Sequence, residues 1–541
     1  MAEAALFSLA TDILKSLATE IAKPAGSFFF RQIKLLRGAK DELRSLEGTV
    51  QAIRAVLLDA EKQQWDKHQV KLWLKRLKDV LYDVQDLLDD VATEDLRREV
   101  TPGNKMSKSV RIFFSKSNQL AQRLKVANKI QELRRTLDEI ENDSKLLKLE
   151  LHPEETMAIG RGKKPERPSP DAKIIGREED KMKIKQLLLS SSSNKSVSFV
   201  AIVGKGGLGK TALARLVYDD GEVKEHFGLK MWVCVSDVFD VNSLIKELLK
   251  KANVDCQGRH DEDLPSLLRE TLGRKKYLLV LDDLWNEDRH EWLKLGDWLE
   301  GGQWGSKILV TTRSHEVAKV TNARSVIYDL RGLSEDESWN LFKKNAFEDG
   351  EESLDSEQEK IGRDLVKKCA GVPLAVRTIG SLLYGKKKDE WLCYEGRELL
   401  DIPEIAEKDG GIMEVLKFSY DHLPSRLKHC FAYCSLFPKN YVYDKEMVIH
   451  LWVAEGFIES HNGEDNLEEV ADMYLSELLW RSFLDVERKG KDGKVIAFKM
   501  HDLMHDLAQK VAEGECEIVN FEGRHNGRGI RHASFTSEFF S

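Results

Sequence analysis

The run Val197-Ser-Phe-Val-Ala-Ile-Val203, passing without a break into Gly204-Lys-Gly-Gly-Leu-Gly-Lys-Thr211, constrains this chain more than any other feature. The first part is short, β-branched and apolar, as a buried strand requires. The second part matches the phosphate-loop pattern G-x-x-x-x-G-K-[ST] at each fixed position, and the helical stretch Ala212-Leu-Ala-Arg-Leu-Val217 follows it. That order has a physical reason. Gly204, Gly206, Gly207 and Gly209, with Leu208 among them, let the backbone curl so that N–H groups point inward at a phosphate. The following helix adds the positive end of its dipole. Lys210 is placed to reach β/γ-phosphates, and the Thr211 hydroxyl to meet Mg²⁺.

Further strand-like runs at Leu229–Val235, Tyr277–Leu281, Lys307–Thr311 and Val326–Leu330 alternate with helical stretches, which is the signature of a parallel α/β sheet. Tyr277–Leu281 runs into Asp282-Asp283. One carboxylate there can hold Mg²⁺ directly or through water, here assigned to Asp282. The other, Asp283, can orient an attacking water. Arg313 follows another strand, where a cation can sense a γ-phosphate; without the neighbouring motifs a surface salt bridge would be the first reading.

Upstream of residue 150 the pattern changes to three- and four-residue spacing. Leu36, Ala39, Leu43, Leu46, Val50, Ile53, Leu57 and Ala60 form one seam; Val70, Trp73, Leu77, Val80, Val84, Leu87 and Val91 a second; Val126, Ile130, Leu133, Leu137 and Ile140 a third. Each apolar stripe needs a partner, so these seams and an amphipathic helix over residues 2–21 predict a four-helix bundle. Asp79, Asp83, Asp86 and Asp90 share another face, read as solvated or as a surface for a basic partner. The Ala2–Ala22 stretch carries Glu3, Asp12, Lys15 and Glu20 and lacks a basic leader, so it does not read as a signal peptide.

Composition narrows the function classes. At 541 residues the chain has room for about three to five domains, and 41% hydrophobic with 33% charged residues excludes collagen-like and wholly disordered classes. A net charge of −8 argues against nucleic acid as the main partner. Seven scattered cysteines, an odd number, suit a reducing compartment. Among them Cys430 and Cys434, one helical turn apart, read as buried thiols. His501 and His505 lack the further ligands that a zinc site needs. Trp232, Trp285, Trp292 and Trp452 read as packing residues.

Taken in order, the motifs resemble the NB-ARC module of plant coiled-coil nucleotide-binding leucine-rich-repeat immune receptors, of the STAND ATPase class. The residues are Ile175-Gly-Arg-Glu178, the phosphate loop, Phe227–Ser236, Leu278–Trp285, Gly305–Arg313, Cys369-Ala-Gly-Val-Pro-Leu-Ala375, Cys430–Pro438 and Met500-His-Asp502. Tyr82–Asp89 looks like the acidic motif of that family's N-terminal domain. The resemblance implies the following division: a coiled-coil four-helix bundle over 1–150, a linker over 151–172 and a P-loop α/β domain over 173–330. A helical domain follows over 331–405, then a winged-helix domain over 406–515 and the start of the repeat region over 516–541, with the repeats themselves missing. That reads as a fragment or a short natural form.

By resemblance, Ile175, Gly176 and Arg177 line the adenine and sugar, Pro373 packs on the base, Arg313 is the sensor arginine, and His501 touches the β-phosphate of ADP. The implied function is an ADP/ATP-controlled switch in plant defence, with ADP at rest, ATP or dATP when active, and Mg²⁺. It would be cytoplasmic and hydrolyse ATP slowly at most. It would self-associate into a ring and trigger cell death, with its first helix entering the plasma membrane. As a helix, residues 2–21 would span about 30 Å. Without repeats, direct recognition of a pathogen effector is not expected. A repeat-less adaptor, helper or decoy that pairs with another receptor, or an AAA-type ATPase, is the alternative.

Overall fold

The computed structural model describes residues 9–11, 13–18, 39–63, 68–100, 116–149, 174–190, 196–235, 241–256, 259–285, 289–321, 326–347, 356–384, 386, 391, 411–458, 466–512, 515–519 and 530–535. The chain divides into two compact units, Met1–Pro165 with Pro424–His429, and Glu166–Leu423 with Cys430–Ser541. The linker stretch Arg161–Pro170 and the serines 191–193 lie outside the described residues.

In the first unit the helices α1 (Ala39–Gln63), α2 (His68–Val100) and α3 (Lys116–Leu146) and the helical residues 9–11 and 13–18 share one core. The three- and four-residue spacing brings one stripe of each helix inward. Val50, Ile53, Leu57, Leu77, Leu137 and Ile140 are fully buried, and so is Leu17 from the N-terminal segment. The buried face of α2 is wider than its heptad seam, since Leu74, Leu81 and Leu88 are buried beside Trp73, Leu77 and Val84. That width suits a helix enclosed on more than one side. Two polar contacts pin the stripes: Trp73 Nε1 donates to the carbonyl of Ile140 (2.8 Å), and Thr49 Oγ1 donates to Asp138 Oδ1 (3.0 Å). Of the acidic face, Asp83 pairs with Lys129 at 2.9 Å, and the side chain of Asp90 lies outside the described residues.

The second unit is built on a parallel sheet of β1 (Val197–Val203), β2 (Leu229–Cys234), β3 (Tyr277–Leu284), β4 (Ser306–Thr312) and β5 (Val326–Asp329) in the order β2-β3-β4-β1-β5. Both faces of the central strands are covered, which is why their sequences are continuous apolar runs rather than alternating ones. The order sets the carboxyl ends of β3, β4 and β1 side by side, the edge where open parallel sheets bind ligands. Sequence reading ends the third strand at Leu281, whereas the observed strand continues to Leu284 through a register shift between Leu281 and Leu284. Asp283 sits in that bulge with φ of 53°, a left-handed conformation that Asp tolerates better than most residues.

Beyond the sheet, α5 (Glu335–Ala346) starts at a capping box formed by Ser334 and Glu337. The helix α6 (Pro373–Leu383) starts with proline at its first position, where the missing N–H costs nothing. A small antiparallel sheet of order β6-β8-β7, with β6 Val442–Asp444, β7 Asp485–Lys489 and β8 Val495–Lys499, leads into α7 (Asp502–Val511). Two short strands, β9 (Cys516–Val519) and β10 (His532–Phe535), pair in parallel near the C-terminus. Cys430 and Cys434 are buried free thiols. Among the described residues no helix is long and apolar enough to cross a membrane.

Candidate functional site

The phosphate loop leaves β1 at Val203 and enters α4 (Lys210–Tyr218) directly after Gly209. Two of its glycines have close neighbours, and one of them also has a backbone that favours glycine. Gly207 has φ of 75°, and a Cβ there would stand 3.1 Å from Leu374 Cβ and 3.2 Å from Val372 Cγ1. At Gly206 a Cβ would come within 2.9 Å of Leu503 Cδ1. The loop is also tied to the start of α6, since the Leu374 N–H reaches the Gly207 carbonyl at 3.3 Å. A cavity of about 340 Å³ lies against the loop, between the ends of β1 and β5 and the residues before Pro373.

Lys210 is buried, and its ammonium donates to the carbonyls of Gly204 (2.8 Å) and Lys205 (3.1 Å). Burial pushes its pKa down to about 8. A lysine so placed gains more from an anion than an exposed one does, because the anion restores the solvation of the charge that the protein has removed. Next to it, Thr211 Oγ1 donates to Asp282 Oδ1 at 3.0 Å, and Thr311 Oγ1 donates to the same oxygen at 2.6 Å. Burial raises the Asp282 carboxyl above its ordinary range despite those two donors. These residues fit a nucleoside phosphate with Mg²⁺: inward glycine backbone and Lys210 for the phosphates, Thr211 and Asp282 for the ion. A Mg²⁺ there would supply charge neutralisation at the phosphate oxygens.

Asp283 points elsewhere. The bulge aims its N–H at Thr311 Oγ1 (2.8 Å) and its carboxylate at Trp285, whose Nε1 donates to Oδ2 at 2.8 Å. Arg313 Nε stands 3.9 Å from Asp283 Oδ1, and Arg313 Nη2 donates to Asp502 Oδ2 at 3.1 Å. The Arg313 guanidinium lies over the Trp285 ring, 4.3 Å from its centroid. Burial alone would raise Asp283, but hydrogen bonds from Asp502 and Trp285 and the charges of Arg313 and Lys210 hold it below the usual carboxylate range. Asp502 moves the other way: burial, then the bond to Asp283 and its charge, push it up to about 8. The two form a carboxyl pair in which the proton resides on Asp502, and Asp502 Oδ2 accepts from Arg313.

His501 precedes α7 and caps it, its Nδ1 accepting from the Leu503 N–H at 3.1 Å. That bond places the imidazole proton on Nε2. Burial, with the Arg313 and Lys210 charges and against the pull of Asp485, lowers His501 to about 4, so the ring is neutral at pH 7. A neutral ring with a free Nε2–H can donate to an anion. His505, one turn on, is bonded through Nε2 to the Phe437 carbonyl at 2.7 Å.

Of the residues expected on the base side, Arg177 is buried. Its Nη1 donates to Asp180 (2.9 Å) and the Arg331 carbonyl (3.0 Å), and its Nη2 to the Leu208 carbonyl (2.8 Å). It braces the phosphate loop against the exit of β5. Ile175 and Gly176 lead into the helix Glu178–Leu189, and Gly176 lies against Leu333 and Glu337 at the start of α5. Pro373 opens α6 beside Gly207. Thus the structure gathers Lys210, Thr211, Asp282, Asp283, Arg313 and His501 at one edge of the sheet.

Sequence reading missed one residue there. Trp285, expected as packing, is 38% exposed and contacts both Asp283 and Arg313. Its position two residues after an acidic pair at a strand end was the available signal.

Three protein families match in chain order: Rx N-terminal domain over residues 11–116, NB-ARC domain over 177–352, and Disease resistance protein Winged helix domain over 436–508. The Disease resistance protein RGA2 of Solanum bulbocastanum is 36% identical over 502 residues, covering 91% of this chain and 49% of that protein. The Putative disease resistance RPP13-like protein 1 of Arabidopsis thaliana is 35% identical, covering 92% of this chain and 46% of that one. The chain therefore spans about half the length of the curated relatives it matches. A solved STAND protein with a tetratricopeptide repeat sensor from Pyrococcus horikoshii aligns at 18% identity with a TM-score of 0.39, covering 64% of this chain and 43% of that one.

Proposed function

We propose, from the premise that this chain carries the Rx N-terminal, NB-ARC and winged-helix domains of plant disease resistance proteins and is homologous to them over 91% of its length, that it is a nucleotide-controlled switch in plant defence. One observation carries the reading. The segment at the start of α7 meets the phosphate site, with Asp502 on Arg313 at 3.1 Å and Leu503 against Gly206. A γ-phosphate entering the cradle competes for Arg313 and Lys210, so it disfavours this closed arrangement. ADP leaves the Arg313–Asp502 pair intact, and the His501 Nε2–H is the donor that would hold its β-phosphate. A ligand shifts such an equilibrium by its difference in affinity for the two states.

In this reading Lys210 and the glycine backbone hold the phosphates, Thr211 and Asp282 hold Mg²⁺, Arg313 senses the γ-phosphate, and Pro373 borders the base. ADP marks the resting form and ATP or dATP the active one. The active form self-associates into a ring in the cytoplasm and triggers cell death, with or without contact to the plasma membrane. With Asp283 bonded to Trp285 and Asp502 in the closed arrangement, it is not free to orient a water, which suits slow hydrolysis better than a cycling motor. The adaptor reading predicts no link between nucleotide and assembly. The test is the nucleotide that copurifies with the protein, combined with size-exclusion mass in ADP and in a non-hydrolysable ATP analogue. Copurified ADP with assembly only in the ATP analogue supports the switch, and identical mass in both contradicts it.

A further inference from the structure

The indole of Trp285 touches both Asp283 and Arg313 through specific contacts, one by its edge and one by its face. The edge is the Nε1–H, 2.8 Å from Asp283 Oδ2. The face carries the Arg313 guanidinium at 4.3 Å. Arg313 in turn engages Asp502 through Nη2 at 3.1 Å and stands 3.9 Å from Asp283 Oδ1, and Asp283 is hydrogen-bonded to Asp502. No contact joins Trp285 to Asp502 among the described residues. The ring therefore acts on the start of α7 through two intermediaries, both belonging to the phosphate site. The surrounding features fit a fixed arrangement rather than general packing. The Asp283 backbone is held at φ of 53° within a strand bulge, and its N–H is bonded to Thr311 Oγ1, whose own proton goes to Asp282. Its carboxylate has one remaining direction to settle, and Trp285 settles it. At 38% exposure the indole buries too little to be explained as core.

We propose that Trp285 is a positioning residue that couples the phosphate site to the winged-helix segment, orienting the Asp283 carboxylate and the Arg313 guanidinium together so that both reach Asp502. This rests on the nucleotide-switch reading and deepens it by naming how the site's state is relayed. A stacked guanidinium keeps its plane, and so keeps Nη2 pointed at one acceptor. An N–H donor to Oδ2 of the Asp283 carboxylate fixes its plane and leaves Oδ1 toward Arg313. When Arg313 turns toward a γ-phosphate, it must leave the ring face, and both arms loosen at once.

The test compares Trp285→Phe and Trp285→Ala in the full chain by release of a fluorescent ADP analogue. Phenylalanine keeps a face for Arg313 and loses the N–H donor; alanine loses both. Expected release is faster by roughly tenfold in Trp285→Phe and by roughly 30- to 100-fold in Trp285→Ala, the sizes that a charge-assisted hydrogen bond and a stacked cation imply. Combining Trp285→Ala with Asp502→Val should release no faster than Asp502→Val alone, because both act on the same contact. In the wild type, the ¹⁵N-indole resonance that vanishes in Trp285→Phe should shift between saturation with ADP and with a non-hydrolysable ATP analogue. Additive effects in the double variant, or an indole signal that does not move, overturn the inference and leave the nucleotide reading standing. A wild type that binds neither nucleotide overturns both. If Trp285→Ala fails to fold, the milder Trp285→Phe, which keeps an aromatic ring, and the resonance still decide.

Discussion

The N-terminal bundle and the phosphate site are stabilised by opposite means. In the bundle, many equivalent apolar residues each contribute a modest amount: Val50, Ile53, Leu57, Leu77, Leu137 and Ile140 are all fully buried, and its ion pairs, such as Asp83–Lys129, lie at the surface. At the phosphate site a few unlike groups each make a small set of specific contacts. Lys210 is buried against its own loop, Asp282 holds two threonine hydroxyls, and Asp502 reaches across to Arg313, 189 residues away in sequence. Redundant packing degrades gradually when altered. A site of unique contacts changes state, and that is what a switch requires.

The largest expected effect tests the redundant side. Ile13→Glu with Leu17→Glu places two carboxylates in positions that are 1% and 0% exposed, which costs several kcal/mol. The bundle should lose its helical signal on heating well before the wild type, while ADP affinity stays within about twofold. Preserved melting would remove this segment from the core and return it to a role at a membrane.

Next comes Lys210→Ala, expected to weaken ADP binding by roughly 100-fold or more while leaving the melting of the bundle unchanged. Calorimetry checks the first part and circular dichroism the second; wild-type affinity would mean that the cradle has been assigned wrongly. The same lysine gives a pH dependence. Its pKa lies near 8 in the free protein, and bound phosphate raises it. Nucleotide affinity should therefore be flat from about pH 7 to 8 and fall above 8, by up to tenfold per unit, until the raised pKa of the complex is passed.

Asp502 separates charge from shape. In the closed form its carboxyl is raised from 3.8 to about 8, so closure takes up a proton that an opened, solvated Asp502 would not hold. Between about pH 6.5 and 8, where His501 is neutral and Asp283 ionised in either state, closure therefore weakens as pH rises. Asp502→Asn resembles the protonated acid and should stay closed at pH 7 with that slope removed. Asp502→Val should open at every pH, which the copurified ADP fraction would report. If both variants behave alike, the proton on Asp502 is not what holds the contact.

The smallest effect returns to the bundle. Asp83→Asn breaks a pair whose side chains are 51% and 39% exposed, and should cost about 0.2–1 kcal/mol, less in high salt. A larger loss would mean that the bundle depends on individual contacts after all.

The same contrast explains what was legible in the sequence. Helical spacing placed Leu46, Val50, Ile53 and Leu57 on one buried stripe because burial of a helix face repeats along the chain. The phosphate loop was legible because backbone wrapping of a phosphate tolerates few sequences. The strands were found within a few residues, except that the third runs on through Asp283. Its bulge depends on Thr311 in a neighbouring strand, which no local pattern contains. Trp285 was read as packing for the same reason: its role exists only once Arg313 is folded over it. The Arg313–Asp502 pair was legible only as two separate motif residues, with nothing to say that they meet.

The central claim is that the phosphate site and the start of α7 form one nucleotide-dependent contact. Hydrogen exchange over residues 501–508, measured in saturating ADP and again in a saturating non-hydrolysable ATP analogue, tests it most directly. The claim predicts strong protection in ADP and exchange at least tenfold faster in the analogue, as an opened contact requires. Equal protection in the two nucleotides, with binding of both verified, would contradict it.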